Sequence, residues 1–377
     1  MLRQIGEIVA RARGREKLPL DQLARQVGVS PATLQSLERG EPGLSTAALD
    51  RLARHLGLDG AALLLGQERP QPRVSVFLRH SGMQDFNHDA QEALERALEA
   101  GRMLRSLNER LGVERLARPV GAALRNAGPS AALEGYNLAQ VWRRHLQMPS
   151  QPMGDLGVLL EERFEVAVLV AALGSTAVSA AGLRGADAAA AVVLNAAHPE
   201  LCANPPLARV HLAHELCHIL HDPSEGGLHL VIERDREVKV RQRVARAEQR
   251  AKAFAAELLL PQTGLLELLG PTARTASPGE GRALVASARR HFGTPWEITV
   301  NHLNHRDYLA NDVRETLLRQ GPQGTPVGAA STRLPPPGGP SIALGDRVRR
   351  AHEDGTLTDG QVRVALGLSA SEALPWG

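Results

Sequence analysis

The sequence predicts a mainly α-helical protein containing one small α+β domain, and three observations carry that reading. Residues 1–66 divide into five short helical stretches punctuated by glycine and by a serine–proline pair. Residues 156–195 switch to a short helix followed by valine-rich runs of strand length. From about Leu207 the apolar spacing returns to three and four, the pattern of helices packed on one face.

The length of 377 residues suits two or three domains rather than one core. Hydrophobic content of 43% and charged content of 23% are those of a globular chain and argue against wholesale disorder. Aromatic residues make up only 3%, so the core is aliphatic and alanine-rich, and an aromatic platform for single-stranded bases is disfavoured. A net charge of +3 permits contact with nucleic acid without requiring it. The two cysteines, Cys202 and Cys217, give no disulfide framework and suit a reducing cytoplasm. The first residues read as an amphipathic helix rather than a signal peptide. Residues 166–183 are uncharged, but Gly174, Ser175 and Thr176 interrupt them. They read as strand, turn and edge strand, and no membrane is expected as a partner.

The expected domains follow in order. Within residues 1–66, Gly28 ends one helix, Ser30 caps the next with Pro31 at its first position, and Gly40 stops it. Ser45 caps a fourth helix, residues 46–55. Residues 67–118 hold a linker with Pro70 and Pro72, then a long amphipathic helix, residues 89–111, whose charged face reads as a spacer or a dimer seam. Residues 119–265 form the α+β domain: a helix at 156–162, strands at 166–170, 176–183 and 191–195, a helix at 207–220, and a charged helix at 234–260 closed by Pro261. Residues 266–320 are a helical extension, with helices near 281–291 and 297–319. Residues 321–340 are a flexible linker ending in a proline-rich tether, and residues 341–377 a helical hairpin.

His214 and His218 lie four apart, so on a helix their imidazoles share one face about 6 Å apart. Both can then reach one ion at roughly 2.0–2.1 Å. Glu215 beside them is the group that takes a proton from a metal-activated water and returns it to a leaving amine. The remaining faces of this helix are apolar (Leu212, Leu216, Ile219, Leu220), so two histidines are buried with it and need partners. A downstream helix offers a carboxylate. Glu248 is the first choice, and Glu257, nine residues on, points the opposite way. His221 reads as a rim group and Cys217 as a small buried thiol or a redox switch. His211 and His229 read as surface or packing residues.

Residues 210–221 resemble the active-site helix of the ImmA/IrrE family of zinc metallopeptidases. Residues 248–261 are similar to that family's second signature, with acid, alanine and phenylalanine at matching offsets. The resemblance spans about residues 156–261. It implies a gluzincin-like domain with a small β-sheet, Zn2+ as cofactor, His214, His218 and Glu248 as zinc ligands, and Glu215 as catalytic base. Cys217 stands where the family usually has glycine, and its bulk is expected to crowd the helix packing.

Residues 20–40 resemble the Xre-type repressor helix-turn-helix, with Ala24, Gly28, Val29, Leu34 and Leu37 supplying the tight packing. That resemblance implies double-stranded DNA as partner, with Ala32, Thr33, Gln35, Ser36 and Arg39 facing a major groove. Gln35 suits adenine and Arg39 a phosphate. A homodimer is expected, because one such unit reads a half-site. The same helical shape also serves domains that bind protein.

The expected whole is a cytoplasmic, DNA-binding transcriptional regulator with a zinc endopeptidase domain. Its substrate would be a repressor or antitoxin-like protein held by β-addition to the strand at 178–183. The alternative is a DNA-binding regulator or antitoxin whose peptidase fold is a non-catalytic sensor.

Overall fold

A computed structural model of the chain describes residues 2–15, 18–41, 43–56, 58, 60–68, 88–113, 116, 130–174, 176, 178–185, 187–198, 200–222, 229–234, 242–271, 274–324, 332–366, 368 and 373–376. Two compact units result, Met1–Gln84 with a short insertion, and the remainder. The proline linker after residue 68 and the expected start of the α+β domain at residue 119 lie outside the described residues.

The first unit is five helices: α1 (Leu2–Arg15), α2 (Leu20–Val27), α3 (Pro31–Glu38), α4 (Thr46–His55) and α5 (Gly60–Leu64). Their apolar stripes meet in a core of Ile5, Ile8, Val9, Leu23, Leu34, Leu37 and Leu52. Gly28 closes α2 at φ 71°, with open space where a side chain would stand, so backbone conformation demands the glycine there. The Ser30 hydroxyl accepts the Thr33 amide at 3.0 Å and Pro31 opens α3. At Gly6 a Cβ would meet the Leu37 carbonyl at 2.2 Å, so α1 and α3 depend on a bare backbone at their crossing. Arg13 grips Glu38 through two bonds of 2.6 and 2.9 Å across the same pair.

The second unit is built on a four-stranded sheet of order β1-β3-β2-β4: β1 (Val166–Ala171), β2 (Val178–Arg184), β3 (Ala190–Asn195) and β4 (His229–Arg234). β1 runs parallel to β3, whereas β2 is antiparallel to both β3 and β4. Two expectations change here. β2 is paired on both sides, so residues 178–183 are no edge strand. The helix expected from residue 234 begins at Gln242, because His229–Arg234 joins the sheet. That strand's alternation is hidden among charges, which read equally well as one face of a helix.

Helices α6 (His88–Arg110), α7 (Ala131–His145), α8 (Leu156–Phe164), α9 (Pro205–His221) and α10 (Gln242–Leu259) surround the sheet. Val166, Val168, Val170, Val192 and Leu194 share one core with Leu212 and Leu216 of α9 and Phe254 and Leu258 of α10. Alternate residues of the same strands, Ala167, Ala191 and Val193, are equally buried, so both faces are covered. α6 packs on β1 and β3, and at Gly101 a Cβ would meet the Ala190 carbonyl at 2.4 Å. The apolar face of this helix, with Leu94, Leu98, Leu104 and Leu107 buried, is thus a layer over the sheet.

Beyond α10 come α11 (Gln262–Leu269), α12 (Pro278–Phe292), α13 (Trp296–His305) and α14 (Asn311–Gln320), with a core of their own around Phe292, Val300, Leu309 and Leu317. The helix expected over 297–319 breaks in two, and Asp307 turns the chain at φ 62°. Aspartate tolerates that left-handed conformation without glycine, so no punctuation marks the break in the sequence.

The hairpin α15 (Ile342–Glu353) and α16 (Asp359–Leu366) docks on α6 and α8. Buried Glu161 of α8 accepts the Val168 amide at 3.0 Å and the Ala343 amide at 2.7 Å, and Arg347 donates to Asn108 of α6 at 3.1 Å. The tether before it is no free linker where described: Arg333 donates to Asp155, and the Gly338 amide bonds the Val170 carbonyl of β1 at 2.8 Å. Residues 325–331 of the expected linker lie outside the described residues.

Burial pushes the Glu161 carboxyl above its ordinary range, outweighing the amides that it accepts. The folded chain then holds a proton that the unfolded chain has lost, so this group makes stability fall as pH rises above the usual carboxylate value. Glu161→Gln should place an amide NH2 against one of two buried N–H donors. Urea unfolding is expected to show a loss of about 1–3 kcal/mol and a flatter pH profile than the parent.

Candidate metal centre and nucleic-acid interface

Asn204 caps α9 by accepting the Leu207 amide, and two prolines occupy its first turn. The helix then runs through the core, leaving His214, Glu215 and His218 almost fully buried. The two imidazoles meet Nε2 to Nε2 at 3.0 Å. Glu248 reaches in from α10, its carboxylate oxygens 3.2 Å from His214 Nε2 and 3.4 Å from His218 Nε2. One ligand atom from each residue lies within 4.8 Å of the others. Glu248 keeps 18% of its side chain exposed, so solvent reaches the cluster from that side.

Burial pushes the Glu248 carboxyl up, but hydrogen bonds and charge from His214 and His218 outweigh it and hold the group well below the usual carboxylate range. It is therefore an anion at neutral pH. The His218 ring is set by Asp222, whose Oδ2 lies 2.7 Å from Nδ1. Asp222 in turn pairs with Arg250 of α10, and Arg250 with Glu134 of α7 at 3.3 Å. Arg184, at the end of β2, donates to the Ile219 and Asp222 carbonyls at 2.5 Å each. Trp142 of α7 donates to His221 Nε2 at 2.9 Å.

Glu215 projects onto β2, where a Cβ at Gly182 would meet its Oε2 at 2.6 Å. Only a glycine leaves that seat open. Cys217 sits in the core without any exposure, so the bulk expected to crowd α9 is accommodated by the packing. Burial pushes its thiol up to about 12, and a thiol protonated at neutral pH is a poor redox switch.

The structure thus brings together His214, His218 and Glu248, while Glu215, next to His214 on α9, directs its carboxylate at Gly182 of β2. Glu257 belongs elsewhere: it accepts from Arg306 at 2.5 Å and Gln140 at 3.1 Å and faces His302 at 3.3 Å, tying α13 to α10 and α7. The donor set of two imidazole nitrogens and one ionised carboxylate, with no thiolate, is that of a catalytic rather than a structural zinc site. The residues present fit Zn2+ on those grounds. Asp222, Arg250, Glu134 and Gly182 went unnoticed in the sequence. Asp222 was findable, since it continues the four-residue step from His214 and His218; α7 carried no motif to draw attention to it.

In the first unit, Ala32, Gln35 and Arg39 are exposed along α3 and its cap, whereas Thr33 and Ser36 are partly covered. The hydroxyls are locally engaged, Thr33 with Ser30 at 2.7 Å and Ser36 with Arg39 at 3.2 Å. Arg39 also donates to Glu41 at 3.1 Å.

A family model described as a helix-turn-helix domain matches residues 4–65, and one described as the IrrE N-terminal-like domain, a peptidase family, matches residues 160–304. The chain fuses a DNA-binding helix-turn-helix domain to an ImmA/IrrE-type domain. Neither a curated protein nor a solved structure matches it. The IrrE-type match contains α9 and α10 whole and reaches into α13, but stops short of the docked hairpin. Among the described residues no helix is long and apolar enough to cross a membrane.

The seat at Gly182 is testable by a double-mutant cycle. Gly182→Ala should cost about 1–3 kcal/mol through overpacking. Added to Glu215→Ala, which removes the opposing carboxylate, it should cost clearly less. Additive losses in urea unfolding would mean that Glu215 does not rest there.

Proposed function

We propose that this protein is a transcriptional regulator of the Xre type whose IrrE-type domain is a zinc endopeptidase acting on a protein partner, a repressor or antitoxin-like chain. The single observation behind this reading is the convergence of His214, His218 and Glu248, the two histidines flanking Glu215 on one helix. His214, His218 and Glu248 would hold the zinc. When bound, it supplies Lewis acidity that polarises a carbonyl and brings a water's pKa towards neutrality.

The protein's own groups do the rest. Glu215 takes a proton at a carboxylate oxygen from the attacking water and delivers it to the amine nitrogen as the peptide C–N bond breaks. Its buried position keeps that proton from exchanging with bulk solvent. The apolar walls of α9 and α10 hold the two imidazoles in fixed planes. An extended substrate would add to a sheet edge, and with β2 enclosed and β1 met by Gly338, β4 is the edge best placed to receive it.

At the other end of the chain, the exposed side of α3 supports major-groove reading, with Gln35 bidentate to adenine and Arg39 near phosphate. The domain would work as a homodimer on paired half-sites, and cytoplasmic residence follows from that role.

Purified protein should carry close to one zinc per chain, lost in His214→Ala. Glu215→Gln should retain the zinc yet lower peptide hydrolysis by about 100-fold or more, and should capture its substrate from cell extract. Hydrolysis at the parent rate in Glu215→Gln ends the catalytic reading, and normal gene regulation by that variant would make the domain a sensor.

On duplexes selected from a random pool, Gln35→Ala should lose about 1–3 kcal/mol at one base position only. Arg39→Ala should weaken all duplexes alike and reduce the salt slope by about 1. Unchanged binding in both variants would remove α3 from the interface.

A further inference from the structure

Outside the three candidate ligands, one chain of charges running from buried Asp222 to partly buried Arg250 and Glu134 has no part in the chemistry above. Asp222, the C-cap of α9, places Oδ2 2.7 Å from His218 Nδ1 and gives Oδ1 to Arg250. Arg250 extends through its second nitrogen to Glu134. Arg184 holds the main-chain carbonyl of Asp222 from β2 at 2.5 Å. Side chains from α10 and β2 thus meet Asp222 at the end of α9, with α7 joining through Arg250, and Asp222 in turn touches the far side of His218.

We propose that Asp222 and Arg250 are positioning residues that fix the tautomer and ring plane of His218 and so set this protein's affinity for its metal. The inference rests on the metal reading above. To bind a metal the imidazole must be neutral, with one N–H, and a carboxylate against Nδ1 puts that N–H there. The lone pair is then left on Nε2, the atom that faces His214 and Glu248. Such a carboxylate also makes the ring a stronger donor.

Arg250 adds two things. Asp222 is 5% exposed, and a buried carboxylate needs an opposite charge. With one oxygen on Arg250 and the other on His218, the carboxyl is also held against rotation. Arg250 shares α10 with Glu248, so a single guanidinium references His218 to the helix that supplies the third ligand. Glu134 holds the guanidinium from α7, where Gly135 lets that helix come within 2.2 Å, from a notional Cβ, of the Arg250 carbonyl. Arg250 thus couples the orientation of one candidate ligand to the placement of another.

The test uses the full chain and Zn2+ itself, with affinity measured by competition against a chromophoric chelator and geometry by the absorption of the Co2+-substituted protein. Asp222→Ala and Arg250→Met should bind zinc about 10–100-fold more weakly than the parent, with an altered cobalt spectrum. Arg250→Lys should recover part of the loss, since it keeps the charge but reaches only one carboxylate. Arg289→Met serves as the comparison. It removes a buried arginine of α12 that bonds the Thr294 carbonyl just past the helix end, and should lower Tm while leaving zinc affinity within about twofold of the parent.

Parent affinity and an unchanged cobalt spectrum in Asp222→Ala would overturn the inference while leaving the metal site intact. Where Asp222→Ala does not fold, the isosteric Asp222→Asn decides on the same criterion, with a loss on the order of tenfold expected. A parent protein that binds neither ion overturns both the metal reading and this inference.

Discussion

A carboxylate on one helix meets two imidazoles on another only where the helices nearly touch, about 8–10 Å between axes. Small side chains permit that approach here. Ala213 and Cys217 on α9, with Ala251 and Ala255 on α10, lie fully buried in one core. The same requirement recurs where α7 meets α10 at Gly135, where α6 meets the sheet at Gly101, and where Glu215 meets β2 at Gly182. Each of these sites lacks room for a single extra carbon, so the positions of the candidate ligands follow from backbone proximity more than from any one polar bond. A chain this poor in aromatic residues has few large rings to hold its elements apart, and its alanine-rich core suits close packing.

Buried arginines take up another part of the work. Arg143 donates to the Pro149, Gln151 and Leu258 carbonyls, Arg209 to Met153 and Gly154, and Arg184 to Ile219 and Asp222. Burial lowers Arg143 and Arg209 to about 10, still charged at neutral pH. Each guanidinium spans main-chain acceptors that a helix end or a loop would otherwise leave unmet inside the protein. Around α9 and α10, loop geometry is thereby stitched to the helices that bear the site.

The helices of the helix-turn-helix and the two histidines were legible because their signals are local. Gly28, Ser30 and Pro31 announce a turn and a cap, and a four-residue step places His214 and His218 on one face whatever surrounds them. The valine-rich strands were equally plain, though their order was not: pairing partners lie far apart in sequence, and nothing in residues 178–183 says that β4 will cover their outer side. Asp307 broke a helix without glycine or proline to mark it. Arg250 stood in plain view within a charged helix, but a charged run usually means a solvated face, and only the fold shows this member turned inward. Glu161 and Arg347 escaped for the same reason, being polar groups whose partners come from distant segments.

The contact between Gly338 and β1 bears on how the gene can be cut. Val166, Val168 and Val170 form a rim whose peptide groups face outward from the sheet, and such rims template self-association when bared. Shortening the chain to the peptidase-like region that the family model matches, residues 160–304, removes the strip lying against that rim together with the hairpin seated on Glu161. The apparently dispensable tail is better regarded as part of the folding unit, and expression trials that keep it have the physical advantage.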